Sequence, residues 1–162
     1  MTAELEQLVE LRADFPAWTI QHTAGATWPW EAMRHPGRMP TRGGFGWLHA
    51  DTPGRLRELL AAAMQIEAQA ATEDAAHARL EALRVRAAAA GLRAERAPGV
   101  LTVALPSDVD GPGRSEKVTC RPWPADGGKL WFFDGLGRPI VEADNVTDAV
   151  VHLGGVLWRV SR

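Results

Sequence analysis

The sequence predicts an α+β protein with two small antiparallel three-stranded sheet units, each with a covering helix, joined by a long central helix or a helix hairpin. Residues 55–90 contain neither Pro nor Gly and are rich in Ala, Leu, Arg and Glu, which lose little entropy in a helix. Short aromatic or β-branched runs separated by Gly and Pro lie on both sides of this segment. The predicted organisation is an α-β-β-β unit at 1–51, a helical arm at 52–91 and a β-β-β-α unit at 92–162.

The central helix has clear start and stop signals. Thr52 offers a side-chain oxygen at the N-cap, Pro53 suits the first turn, and Gly91 suits the C-terminal end. Apolar stripes mark both halves, but residues 72–74 (Thr-Glu-Asp) interrupt them. The helix therefore either runs through or bends there into a hairpin. The absence of a true breaker favours the continuous form.

The N-terminal unit opens with a short amphipathic helix at residues 3–13, where leucines recur at helical spacing. Three strands follow, because apolar residues alternate with polar ones. The residues expected to share a face within each strand are Trp18 and Ile20; Trp28, Trp30 and Ala32; and Phe45, Trp47 and His49.

The C-terminal unit is predicted to contain strands at 100–105, 117–123 and 129–134, with 139–143 as a short candidate fourth. A final helix begins at Asn145 and carries a continuous apolar stripe. Gly154 and Gly155 lie inside this helix, where glycine is unfavourable. We therefore expect a close packing contact at that point.

The composition argues against several classes of protein. Eighteen basic and 20 acidic residues give a net charge of −2, so charge does not favour nucleic-acid binding. The single cysteine, Cys120, excludes an internal disulfide, and no signal peptide or membrane span is recognisable. We expect a cytoplasmic protein that does not associate with membranes.

Catalytic patterns are scarce. A zinc site from His22, His35 and His49 is conceivable on adjoining strands, but ordinary polar histidines explain the same residues better. Cys120 and Arg121 are neighbours on a strand and point to opposite faces, which favours an inert buried thiol over a nucleophile. The sequence thus predicts a non-enzymatic protein without metal or cofactor.

Aromatic residues supply the candidate binding positions. Trp123, Trp131 and Phe133 are expected on one face of the C-terminal sheet, while the final helix covers only the other face. The cover is either another part of the chain or a partner, since exposed Trp commonly anchors protein interfaces. The same reasoning applies in the N-terminal unit to Trp28, Trp30 and Trp47, with Arg34 nearby, and Trp28, Trp30 and Arg34 complete the predicted binding set.

Residues 118–157 contain a T-C-R-P stretch, an aromatic strand, a G-x-P-I turn and a T-D-A helix start. This pattern resembles a family of small, uncharacterised actinomycete proteins, and the front half, with FPAWTI and an HADTP helix start, is similar to other proteins of this kind. It implies a lineage and no catalytic residues. The leading hypothesis is a regulatory or protein-interaction protein that presents an aromatic sheet face and self-associates. The alternative is a nucleic-acid-binding module that uses a three-stranded sheet with Trp30, Arg34, Arg38 and Arg42.

Overall fold

The computed structural model describes residues 3–40, 44–106 and 114–159. Within these ranges the chain forms three α-helices and two antiparallel sheets, which confirms the α+β class. The chain divides into two compact units, Met1–Thr72 and Glu73–Arg162, with the boundary inside the second helix. The helices are α1 (Ala3–Asp14), α2 (Pro53–Ala89) and α3 (Val146–Arg159).

The sheet of the first unit is a three-stranded antiparallel meander. Its strands are β1 (Trp18–His22), β2 (Trp30–Arg34) and β3 (Trp47–Ala50), with β2 in the centre. One face is covered by α1 and the first part of α2 and forms the core of the unit. The other face, called here the outer sheet face, carries no helix among the described residues.

Helix α2 is continuous over 37 residues, so the hairpin alternative is wrong. The Thr52 hydroxyl accepts a hydrogen bond from the Arg55 backbone N–H at 3.2 Å, and Gly91 ends the segment with a φ of +82°. Two sets of buried side chains repeat at helical spacing. The core of the first unit contains Leu56, Leu60 and Ala63. The core of the second unit contains Leu80, Leu83 and Ala87.

The second unit contains a five-stranded sheet, so the predicted three strands are too few. The strands follow one another in space as β4 (Arg93–Ala97), β5 (Val100–Ala104), β6 (Ser115–Trp123), β7 (Lys129–Phe133) and β8 (Pro139–Glu142). The candidate fourth strand corresponds to β8. The strand absent from the prediction is β4, which consists of helix-favouring Arg, Ala and Glu.

Tertiary contacts hold β4 in place. A two-residue turn containing Gly99 at φ +72° joins it to β5, with Ala97 opposite Val100. Ala94 packs against the core, and the Arg96 guanidinium pairs with Glu81 of α2 at 3.3 Å. These contacts outweigh the weak intrinsic strand preference of the segment.

One face of the five-stranded sheet packs against both α3 and the second half of α2. Leu101, Val118 and Phe132 are fully buried there. The expected close contact at the helix glycines is absent. A Cβ added at Gly154 would meet no atom within 4 Å, and one added at Gly155 would meet only the Arg159 side chain, at an ordinary contact distance of 3.6 Å. That prediction is wrong.

Candidate protein-interaction surface

The outer sheet face of the first unit carries two exposed tryptophans. Trp28 precedes β2 and is 53% exposed, and Trp47 on β3 is 57% exposed. Met33 lies directly opposite Trp47 in the strand register and is also exposed. Large apolar side chains grouped and exposed on one sheet face are characteristic of binding surfaces.

Specific contacts hold the two tryptophans in place. The His49 ring lies between them, with ring centroids 4.9 Å from Trp28 and 5.2 Å from Trp47. The Trp47 indole N–H donates to the Glu31 carboxylate at 2.6 Å. Rings fixed in this way lose little conformational freedom on binding, which favours affinity.

A second aromatic group, the rear aromatic cluster, lies on the face of the five-stranded sheet that the helices leave open. It consists of Trp123, Trp131, Phe133 and the Arg121 guanidinium. The Trp123 ring meets the Trp131 ring edge-on with centroids 4.5 Å apart, and Arg121 lies 3.7 Å above the Phe133 ring. The Trp131 N–H donates to Asp126 at 2.9 Å. These side chains largely cover one another.

Three of the predicted binding residues, Phe133, Trp30 and Arg34, are not accessible to a partner. Phe133 is 2% exposed because Trp123 and Arg121 cover it, whereas Trp123 and Trp131 are half-buried. Trp30 is buried because it points into the core of the first unit. The Arg34 side chain is only 7% exposed. Of the predicted set, Trp28 alone is widely exposed.

The Arg34 side chain is held in place by contacts within the first unit. Its guanidinium binds both carboxylate oxygens of Glu67 on α2, at 2.5 and 2.7 Å, and lies 4.4 Å from the Trp18 ring centroid. It also donates to the backbone carbonyls of Phe45 and Arg38, each at 3.2 Å. Arg34 thus attaches the β2–β3 connection to α2.

The histidines and the cysteine do not form a reactive group. His22 stacks on Trp30 at 4.5 Å, on the core side of the sheet, whereas His49 is on the outer sheet face. Among the residues that the structure describes, no cluster of three or more His, Cys, Asp or Glu side chains could hold a metal ion. Burial raises the pKa of the Cys120 thiol to about 11, so the thiolate is scarce at neutral pH.

No protein-family model, no curated protein and no solved structure matches this chain. The resemblance of residues 118–157 to small actinomycete proteins stays a prediction. Each helix in the described ranges is too short or too polar to cross a lipid bilayer.

The predicted binding set is divided between the two aromatic groups and contains one member of the exposed row, Trp28. The sequence also predicts that Trp47 and His49 share one face of a strand, but neither residue is included in the set. The available signal was the pairing of β2 with β3, in which Glu31 lies opposite His49 and Met33 opposite Trp47. In this register Glu31, Met33, Trp47 and His49 all lie on the outer sheet face.

Proposed function

We propose that the protein is a non-enzymatic interaction protein that self-associates through the outer sheet face. The observation that carries the proposal is the row formed by Trp28, His49 and Trp47, which is exposed and held by ring contacts and by Glu31. Exposed tryptophans at the centre of an interface commonly supply most of its binding energy.

A second copy of the chain fits this face better than a charged partner. The ionisable groups of the row are Glu31 and His49, and the Glu31 carboxylate already accepts the Trp47 N–H. Its neighbours on β1 in the same face are the uncharged Thr19 and Gln21. Two such faces therefore meet without strong repulsion between like charges.

Light scattering tests the proposal. The unmodified protein is expected to give twice the chain mass of 17.6 kDa. The Trp28→Ala/Trp47→Ala double variant is expected to give the monomer mass with an unchanged circular dichroism spectrum. Because a dimer of identical chains contains each residue twice, the double variant removes four interface tryptophans. Even at about 1 kcal/mol each, this loss raises the dissociation constant roughly 1,000-fold.

Trp158→Ala is the matched control. Trp158 is also an exposed tryptophan, but it lies on α3 in the second unit. The control is expected to keep the dimer mass. A monomeric unmodified protein, or a dimer that persists in the double variant, would refute the proposal.

The nucleic-acid alternative has less support. Trp30 is buried, the Arg34 charge is paired with Glu67, and Arg42 lies outside the described residues. Stacking of bases requires open ring faces beside unpaired cations. The observed contacts of Trp30 and Arg34 therefore favour a structural role for both.

A further inference from the structure

The first unit contains a cleft beside the ion pair of Arg34 and Glu67. Its volume is about 390 Å³. The walls are mainly apolar and come from the segment between α1 and β1 and from α2; they are Phe15, Pro16, Ala17, Met64 and Ala68. This volume lies within the range of about 300–1,000 Å³ that is usual for small-molecule sites.

Three charged side chains line the cleft, and each has a partner of opposite charge. Asp14 is about half exposed and pairs with Arg57, whereas Arg34 and Glu67 are almost entirely buried. The Arg34 and Glu67 side chains are 7% and 14% exposed and neutralise each other through two hydrogen bonds. Arg34 stacks on Trp18, whose ring also lines the cleft. Arg34 Nη2 donates to both Glu67 oxygens, so a charged ligand would have to compete with this buried ion pair and the cleft favours an uncharged one.

Trp18 supplies a second observation that points to a ligand. The residue is 3% exposed, and its indole Nε1 has no hydrogen-bond partner among the described residues. Leaving a buried donor unpaired costs roughly 1–3 kcal/mol. An acceptor oxygen on a molecule in the cleft would recover part of that energy after a small movement of the ring.

We propose that this cleft binds a small, uncharged and largely apolar molecule that carries a hydrogen-bond-accepting oxygen. The apolar walls contact the body of the molecule, and the Trp18 N–H donates to its oxygen. The site is separate from the outer sheet face and goes beyond the proposed self-association.

A neutral fluorescent ketone, 6-propionyl-2-dimethylaminonaphthalene, is a suitable probe because it combines a flat apolar body with one carbonyl oxygen. Its emission is expected to shift to the blue and to saturate at one probe per chain. The Ala68→Phe variant fills the cleft from the exposed side of α2 and is expected to weaken binding at least tenfold. Ala62→Phe adds the same ring to an exposed position of α2 outside the cleft and should leave binding unchanged.

The absence of saturable binding, or equal binding by the Ala68→Phe and Ala62→Phe variants, would overturn the proposal. N-phenyl-1-naphthylamine has a similar apolar body without the carbonyl and should bind more weakly; equal affinity would overturn the role of the Trp18 N–H. The Trp28→Ala/Trp47→Ala variant keeps every residue of the cleft and is expected to bind the ketone normally. Failure of the cleft and failure of self-association are therefore distinguishable.

Discussion

Removing either partner of the Arg34–Glu67 pair is expected to destabilise the first unit by about 3 kcal/mol. The side chains are 7% and 14% exposed and share bonds of 2.5 and 2.7 Å. Breaking a buried pair leaves one charge without compensation, which typically costs about 3–5 kcal/mol. The lower end applies because each charge keeps a backbone partner. Arg34 still donates to the carbonyls of Phe45 and Arg38, and Glu67 still accepts from the Phe45 N–H.

A double-mutant cycle isolates the pair. Arg34→Met and Glu67→Met each leave an unbranched apolar side chain in place of the charged one, and the double variant removes both charges together. The coupling free energy is expected to reach about 2 kcal/mol, because the double variant leaves no uncompensated charge. The Arg55–Glu58 pair on α2 is the matched control, at 2.8 Å but 59% and 69% exposed. Its coupling should not exceed about 0.5 kcal/mol.

Urea unfolding followed by tryptophan fluorescence and circular dichroism measures both cycles. With slopes of about 1–3 kcal/mol per molar, a loss of 3 kcal/mol lowers the midpoint by roughly 1–3 M urea. A coupling energy for Arg34 and Glu67 no larger than that of the exposed pair would refute the reasoning. It would mean that burial does not strengthen this interaction.

Gly154→Ala is expected to raise the free energy of unfolding by roughly 0.5–1 kcal/mol, whereas Gly99→Ala should lower it by about 1 kcal/mol. A Cβ has open space at both sites, but only Gly99 has a positive φ, +72°, which strains an alanine. Melting temperatures that shift in the same direction for the two variants would contradict this prediction. Burial raises the pKa of Cys120 to about 11 from an ordinary 9.0. At pH 8 the thiolate fraction of Cys120 is then roughly 100-fold below that of a free thiol. Alkylation by iodoacetamide, followed by mass spectrometry, should therefore be slow at pH 8, and its rate should keep rising above about pH 9. Burial raises the pKa of Asp134, but hydrogen bonds from the Arg138 backbone and guanidinium and from a second amide outweigh it, and the pKa lies below its ordinary 3.8. The ionised Asp134 carboxylate therefore stabilises the fold at pH values above 3.8, and this stabilisation is lost as the pH falls through the lowered pKa. In acid titrations below about pH 4, Asp134→Asn should lose less stability than the unmodified protein.

Local signals were sufficient for elements whose ends and faces are set by nearby residues. Thr52 and Gly91 mark the limits of α2 to within two residues, because capping depends on the adjacent turn. The apolar stripe of α3 predicts its buried face, and Ala149, Val150, Leu153 and Leu157 are buried. Period-two alternation likewise located the strands of the first unit. It was wrong at Trp28, which precedes β2 and lies against His49 on the outer sheet face, whereas Trp30 and Ala32 are buried in the core.

Features set by distant partners were beyond local reasoning. Strand β4 depends on pairing with β5 and on the bond from Arg96 to Glu81, and its own residues favour a helix. Arg34 is buried because Glu67, 33 positions along the chain, neutralises it. Phe133 is covered by Arg121 and Trp123 from the adjacent strand, although the face as a whole lacks a helix in the described residues. Each outcome follows from a side-chain contact that alternation alone does not specify.

The Arg34–Glu67 pair connects the cleft with the outer sheet face. Its two side chains bind the Phe45 backbone, with the Arg34 Nε–H donating to the carbonyl at 3.2 Å and the Phe45 N–H donating to Glu67 at 3.4 Å. Phe45 lies two residues before Trp47, so the pair helps to fix the start of β3.

Three variants should therefore give different patterns in the two assays. Glu67→Met is expected to weaken both ketone binding and dimerisation, because it disturbs the cleft and releases Phe45 together. Ala68→Phe should weaken only ketone binding, and the Trp28→Ala/Trp47→Ala variant only dimerisation. If Glu67→Met folds and leaves the dimer mass unchanged, the β2–β3 connection positions Trp47 without help from the ion pair. The cleft and the outer sheet face would then not be coupled through Arg34 and Glu67.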